Sequence, residues 1–321
     1  MALVMFQNDP IDDCNSSVYS LDSVSVWATG GRRQVTINDY ISLTELSCCQ
    51  IVQTPVDNET KKSEKEALSR KRNQKAVLRC EKFLQNFLKF QPKNVLTLAS
   101  IGGGNLVDAR IQCTKTLDLS TSIGVALDGF HFCESNSETV FPVVRETIDH
   151  IPDTMLCFLN NVYQPGDILK AVAIGVDLFD GSVAYRLSRS GIAWLYDKEK
   201  AIKTLHFPND DQFYSDDQSF NDPLQKGCTC HTCTNYNKAY VNHLHSVQEM
   251  LAQTLLMLHN SHQLYRFMQD VRESIKNEHF HSFYEIHKND YFCIDQLRID
   301  LSGEQPPLKR KNDKAIQNSD E

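Results

Sequence analysis

No stretch of this chain approaches the run of about 18 apolar residues that a membrane-crossing helix needs. The opening MALVMFQNDPIDD is too short in apolar residues, and too acidic, for a secretory leader. Excess positive charge is also missing: the formal net charge is −8, which argues against a surface that coats nucleic acid along its length. No GxGxxG fingerprint opens a helix after a strand, so a dinucleotide cofactor is not indicated. A disulfide framework is absent too. Of the eleven cysteines, eight are scattered through segments that read as strands and helices, including the adjacent Cys48–Cys49. That usage fits a reducing compartment, and the cytoplasm is the expected location. What is present is an ordinary globular composition, 41% hydrophobic and 23% charged, on 321 residues, enough for one large domain.

The chain opens polar and irregular over residues 1–23. Ser25–Trp27 and Gln34–Ile37 then read as a hairpin around the TGGRR turn. Cys49–Gln53 reads as a buried strand, and Lys61–Lys89 as a long charged helix whose basic first half is a solvated face rather than a nucleic-acid patch. A rhythm follows. Strands are expected at Val95–Ile101, Ile123–Phe130, Thr154–Asn160 and Val176–Gly181. Helices are expected at Asn105–Leu119, Ser137–Ile151 (despite Pro142) and Gly166–Gly175. This alternation means parallel βαβ units, but the rhythm alone does not separate an open doubly wound sheet from a (β/α)8 barrel. Five parallel strands fall short of the eight a closed barrel needs, so in a barrel either the missing strands lie upstream of Met1 or the hairpin segments stand in for some of them; the expectation is a barrel that lacks its first strands. RLSRSGIAWLYD suggests a hairpin leaving the barrel, and residues 246–278 a helix with a kink near Asn260–Ser261. The expected division is a partial barrel over 1–226, a metal-binding helical subdomain over 227–300 that completes it, and a disordered tail over 301–321. The tail's LKRK run is read as solvated.

The densest chemistry lies in GCTCHTCTNYNKAYVNHLHSVQEMLAQTLLMLHN, residues 227–260. Cys228, Cys230 and Cys233 are followed by His259: four soft or borderline ligands with no open position, which suit one structural tetrahedral Zn²⁺. Buried free thiols are the alternative, but three within six residues, among polar neighbours, are not a packing pattern. His231, His243 and His245 are rival fourth ligands, His231 being too close in sequence to close the site easily. A single helix from Cys233 would carry His259 about 40 Å away, so the chain must turn back. Ser246 and Glu249 form an S-x-x-E capping box that starts a returning helix after a break near His243–His245.

These pieces together resemble the tRNA-guanine transglycosylase family, from about Val24 to Phe292. The most specific matches are GCTCHTC, NKAYVNHL, LLMLHN and FMQDVRESI. GVDLFD at Gly175–Asp180 resembles the strand carrying the family's nucleophilic aspartate, and Gly103–Gly104 through Asp108 and Arg110 resembles a GG-x3-D-x-R turn. SVWATGGRRQVT resembles the family's accessory, rather than catalytic, members. The resemblance implies a (β/α)8 barrel with a zinc subdomain, its ligands Cys228, Cys230, Cys233 and His259. It also implies participation in exchanging guanine for queuine at the wobble position of tRNAs for Asp, Asn, His and Tyr. Asp180 falls at the nucleophile position, but the SGGFQ segment with the second aspartate is missing, Gly102 replaces the base-reading glutamine, and GSVAYRLSRSG replaces a Pro-Thr-Arg run. A glycine offers no side-chain hydrogen bond to a base edge. The expectation is therefore a non-catalytic subunit with no catalytic residue of its own. It would pair with a catalytic partner subunit and reach tRNA through that complex, with a helix carrying Tyr240, Leu244, Met250 and Leu251 at the contact. The alternative is an active base-exchange enzyme using Asp180. The resemblance further implies peripheral association with the mitochondrial outer membrane.

Overall fold

Six strands form one parallel sheet in the computed structural model, which describes residues 3–7, 19–28, 31–57, 70–130, 137–162, 164–207 and 218–292. They are β1 (Val4–Met5), β4 (Ile51–Gln53), β5 (Leu96–Ile101), β6 (Gly124–Leu127), β7 (Leu156–Leu159) and β8 (Leu178–Phe179). Their spatial order is their chain order. A doubly wound sheet reverses direction at a switch point; this one never does, and a sequential order is the order of a barrel wall. The wall is also curved. Phe6, just after β1, stacks on Phe158 of β7 with ring centroids 5.1 Å apart. Four strand spacings in a flat sheet would separate them by about 19 Å. The sheet is thus a half-barrel, its inner face closed by Leu98, Ala126 and Phe158 with Phe6, Ile51, Ile123 and Leu178.

Between β1 and β4 lie the hairpin β2 (Ser23–Ala28) and β3 (Gly31–Thr36) and helix α1 (Ile37–Ser47). The side chain of Thr36 accepts from the backbone of Asp39 while Asp39 accepts from the backbone of Thr36, a reciprocal cap that starts α1 where the strand ends. Helices α2 (Arg70–Phe90), α3 (Val107–Thr116), α4 (Ser137–Ile148) and α5 (Pro165–Ala173) fill the crossovers. Val77, Cys80, Leu84, Cys113 and Val144 from three of them pack on Ala99, Ile101, Val125 and Leu159 of the outer sheet face. Strands β5 to β7 are buried on both faces, hence their near-continuous apolar runs LTLASI, GVAL and LCFL.

Four expectations shift. Residues 1–23 were read as irregular, yet Val4–Met5 is a strand; two residues are too few for a periodic signal. RLSR belongs to helix α6 (Ser182–Arg189), and the expected hairpin is made by β9 (Ile192–Leu195) and β10 (Lys203–His206). Ser246 caps no helix. It is the last residue of α8 (Lys238–Ser246), where its hydroxyl donates back to the carbonyl of Asn242 at 3.0 Å. The corner is made instead by Val247 and Gln248, the latter at φ 59, before α9 (Met250–Lys276) opens on Glu249 with no side-chain cap. Helix α9 then runs through Asn260–Ser261 without a break, ahead of α10 (Phe280–His287). Residues 61–69 of the expected charged helix and the tail 301–321 lie outside the described residues.

Candidate metal centre

Gly227, at φ 79, turns the chain so that Cys228 leads into Cys230, which opens the short helix α7 (His231–Asn235). The sulfur of Cys230 accepts from the backbone N–H of Cys233 at 3.3 Å, so the spacing C-x2-C is fixed by one helical turn. From there α8 carries the chain about 12 Å away, and the ten residues from Met250 to His259 bring it about 14 Å back. The 25-residue gap before the histidine is the length of this excursion. Thr232 Oγ1 donates to the carbonyl of Leu255 at 2.7 Å, tying α7 to α9 one turn before His259.

The four ligand atoms lie within 4.8 Å of one another and can hold a metal ion. His259 Nδ1 is 3.4 Å from Cys233 Sγ, 3.5 Å from Cys230 Sγ and 3.9 Å from Cys228 Sγ. A tetrahedral ion with arms of 2.3 Å to sulfur and 2.0–2.1 Å to nitrogen has sulfur–nitrogen edges of about 3.6 Å. The donor set fits. His259 is fully buried, and its Nε2 donates to the carbonyl of Trp194 at 2.9 Å, which leaves the Nδ1 lone pair free for the cation. The sulfurs already feel their crowding. Hydrogen bonds from Cys230 and Cys233 hold Cys228 well below the ordinary thiol range, and the matching bonds push Cys233 up. Burial draws the His259 ring down, but the Cys228 and Cys230 sulfurs overcome it and raise it to about 9. Three sulfurs and a ring this close favour a shared positive charge.

The rival histidines stand elsewhere. His231 meets Asn235, His243 is exposed, and His245 stacks on Phe207 with centroids 5.7 Å apart. Two buried residues that spacing alone did not single out complete the centre: Gln263, one turn beyond His259, donates to Cys228 Sγ at 3.2 Å, and Asn260 binds the backbone of β9.

At the C-terminal end of β8, Asp180 is half-buried, and burial pushes its carboxyl up. One oxygen accepts from the Ser182 N–H at 2.7 Å, the other from the Asn161 N–H. This is the geometry of a turn cap at the start of α6. On the neighbouring strands, a Cβ at Gly102 would stand 2.9 Å from Cys80 Sγ and 3.3 Å from the Asp57 carbonyl, so the position has no room for a longer side chain. Arg110, fully buried, donates to the carbonyls of Gly104 at 2.6 Å, Ile101 at 3.1 Å and Asp128 at 2.6 Å, and stacks 3.8 Å over Phe130. Asp128, which sequence reasoning passed over, accepts from Gln53 at 2.6 Å. The alternation of β6 puts it at the same mouth, a signal available in the pattern GVALD. Among the described residues no helix is long and apolar enough to cross a membrane.

The family model described as queuine tRNA-ribosyltransferase matches residues 11–292. Curated relatives named queuine tRNA-ribosyltransferase accessory subunit 2 are similar over most of the chain. That of Xenopus laevis is 27% identical over 307 residues, covering 84% of this chain and 73% of the relative. The Homo sapiens protein is 27% identical over 310 residues, covering 84% and 74%. That of Ixodes scapularis is 30% identical over 284 residues, covering 83% and 71%. A sequential parallel half-barrel, a Cys3His cluster at its C-terminal side and a match spanning most of the chain agree, and the chain belongs to the queuine tRNA-ribosyltransferase family.

Proposed function

We propose that this chain is the non-catalytic subunit of a heterodimeric queuine tRNA-ribosyltransferase. In this reading it supports the exchange of guanine for queuine at the wobble position of tRNAs for Asp, Asn, His and Tyr, in the cytoplasm, while a catalytic partner performs the chemistry. The observation that carries the reading is Asp180: each carboxylate oxygen accepts a backbone N–H, from Asn161 and from Ser182, which fixes the group as a cap of the turn before α6. A nucleophile needs a lone pair aimed at an anomeric carbon and a second carboxylate to move the proton. Gly102, with no room for a base-reading side chain, points the same way. Cys228, Cys230, Cys233 and His259 would hold one structural Zn²⁺, whose chemistry is to cross-link α7 to α9, and the subdomain expected over 227–300, of which 227–292 are described, would be built on it.

The partner surface fits the exposed side of this subdomain. Tyr240, Val247, Met250, Leu251, Leu258 and Tyr265 are exposed, and the last three fall on one stripe of α9 at intervals of seven. Leu244, expected at the contact, is buried and belongs to the core around the cysteines.

Co-expression with a catalytic family member tests both points. Asp180→Asn should leave queuine exchange by the complex unchanged, and Leu251→Glu should weaken co-purification. Loss of exchange in Asp180→Asn, with a covalent tRNA adduct on the unmodified chain, would establish the competing reading of an active enzyme.

A further inference from the structure

Gln263 has no place in a four-ligand description, yet it is fully buried and touches the centre. It stands four residues beyond His259, on the same face of α9. Its Nε2 donates to Cys228 Sγ at 3.2 Å, and its Oε1 accepts from Arg266 Nη1 at 3.3 Å. Arg266, half-buried, lies with its guanidinium 5.8 Å over the ring of Tyr196. A cation therefore polarises an amide whose other end points at a sulfur. The sulfur it reaches is the vulnerable one. Cys230 and Cys233 are buried and held in or at the start of α7, whereas Cys228 sits in the turn after Gly227 and is only half-buried.

Three thiolates and one neutral imidazole around a divalent cation leave the centre with a net negative charge. In a largely apolar surrounding, an N–H aimed at a thiolate offsets part of that charge and restricts the sulfur's movement away from the ion. We infer that Gln263, backed by Arg266, is a positioning residue that keeps Cys228 on the metal and sets how slowly the ion leaves. The inference rests on the metal reading above and adds which ligand opens first. Dissociation begins at Cys228, and Gln263 is the group that resists it.

The test compares the full chain loaded with Co²⁺ or Zn²⁺ with Gln263→Met, which keeps the volume and loses the donor, and Gln263→Glu, which sets a carboxylate against the sulfur. Ser274→Ala, a buried change on the same helix without contact to the cluster, is the control. Loss of such an outer-shell partner weakens metal binding by about 10- to 100-fold. Zinc transfer to a chromogenic chelator should therefore speed up by about tenfold or more in Gln263→Met, and further in Gln263→Glu, with Ser274→Ala at the parent rate. The sulfur-to-cobalt charge-transfer band should move to longer wavelength in Gln263→Met, a change that loosened packing alone would not produce. Release within twofold of the parent and an unmoved band in a metal-loaded Gln263→Met protein overturn the inference. A parent chain that binds neither ion overturns the metal reading itself, and the inference with it.

Discussion

Each nitrogen of His259 has a different task, and only one of them is written in the spacing. Nδ1 faces three sulfurs, which C-x-C-x2-C and a downstream histidine predict; Nε2 faces the carbonyl of Trp194, 65 residues earlier in the chain. Arg110 teaches the same lesson. The GG-x3-D-x-R pattern singled it out, but its use as a clamp on the carbonyls of Ile101 and Asp128 at two strand ends, and of Gly104 in the turn between, follows from where β5 and β6 lie. His245, a rival ligand by sequence, is a packed ring whose Nε2 has no hydrogen-bond partner, and burial lowers it to about 4. Its folded-state value lies below its unfolded one, so the folded chain binds fewer protons and loses stability as pH falls from about 6.5 towards 4. The full linkage would be about 3 kcal/mol, and partial exposure reduces the expected loss to about 1–2 kcal/mol. Urea unfolding of His245→Phe beside the parent should show this difference at pH 5 and not at pH 8. Parallel behaviour at both values would refute it.

Among the elements, α9 does more than carry a ligand. Asn260 accepts from the Trp194 N–H at 2.9 Å and donates to the Ile192 carbonyl at 2.8 Å and to Ser188 at 3.0 Å. Its amide thus stands in for a neighbouring strand on the free edge of β9, while His259 takes the next carbonyl along. Successive residues of one helix face serve the metal and the hairpin together. Asn260→Ala leaves several of these buried groups unpaired and should cost about 3 kcal/mol. Amide exchange in β9 and β10 should accelerate more than in β5 to β7; uniform acceleration would show that the hairpin has no special dependence on Asn260. The sequence pattern marked α9 as a long amphipathic helix but put its start at Ser246. An S-x-x-E box is a local signal, and here the last turn of α8 takes Ser246 instead, in a helix whose Val241 and Leu244 are buried with Ala252, Leu255 and Leu256 of α9.

For the molecule as a whole, the described residues include a curved parallel sheet with its outer helices and a cluster around the cysteines that includes Ala193, Phe207 and Leu224. Metal binding coupled to folding should act on the second of these first. Removing the ion with a chelator, or replacing Cys230 by Ser, should loosen amides of α7, α8 and the β9–β10 hairpin while β4 to β7 keep their protection. Hydrogen exchange followed by mass spectrometry checks this. Equal loosening of the sheet would mean that the ion stabilises the entire chain.

The order of parallel strands and helices and the Cys3His set were readable from residues alone, because alternation and ligand spacing are periodic, local properties. The spacing even required the chain to double back before His259. Where it turned, and what held each ligand in place, were decided only by packing. A carbonyl on β9, the amides of Asn260 and Gln263, and a corner at Val247–Gln248 come from segments that meet in space at separations no periodicity reports. The same holds for Asp180. Its place after a barrel strand is a sequence property, whereas the two backbone N–H groups that occupy its oxygens come from loops that only the folded sheet brings together.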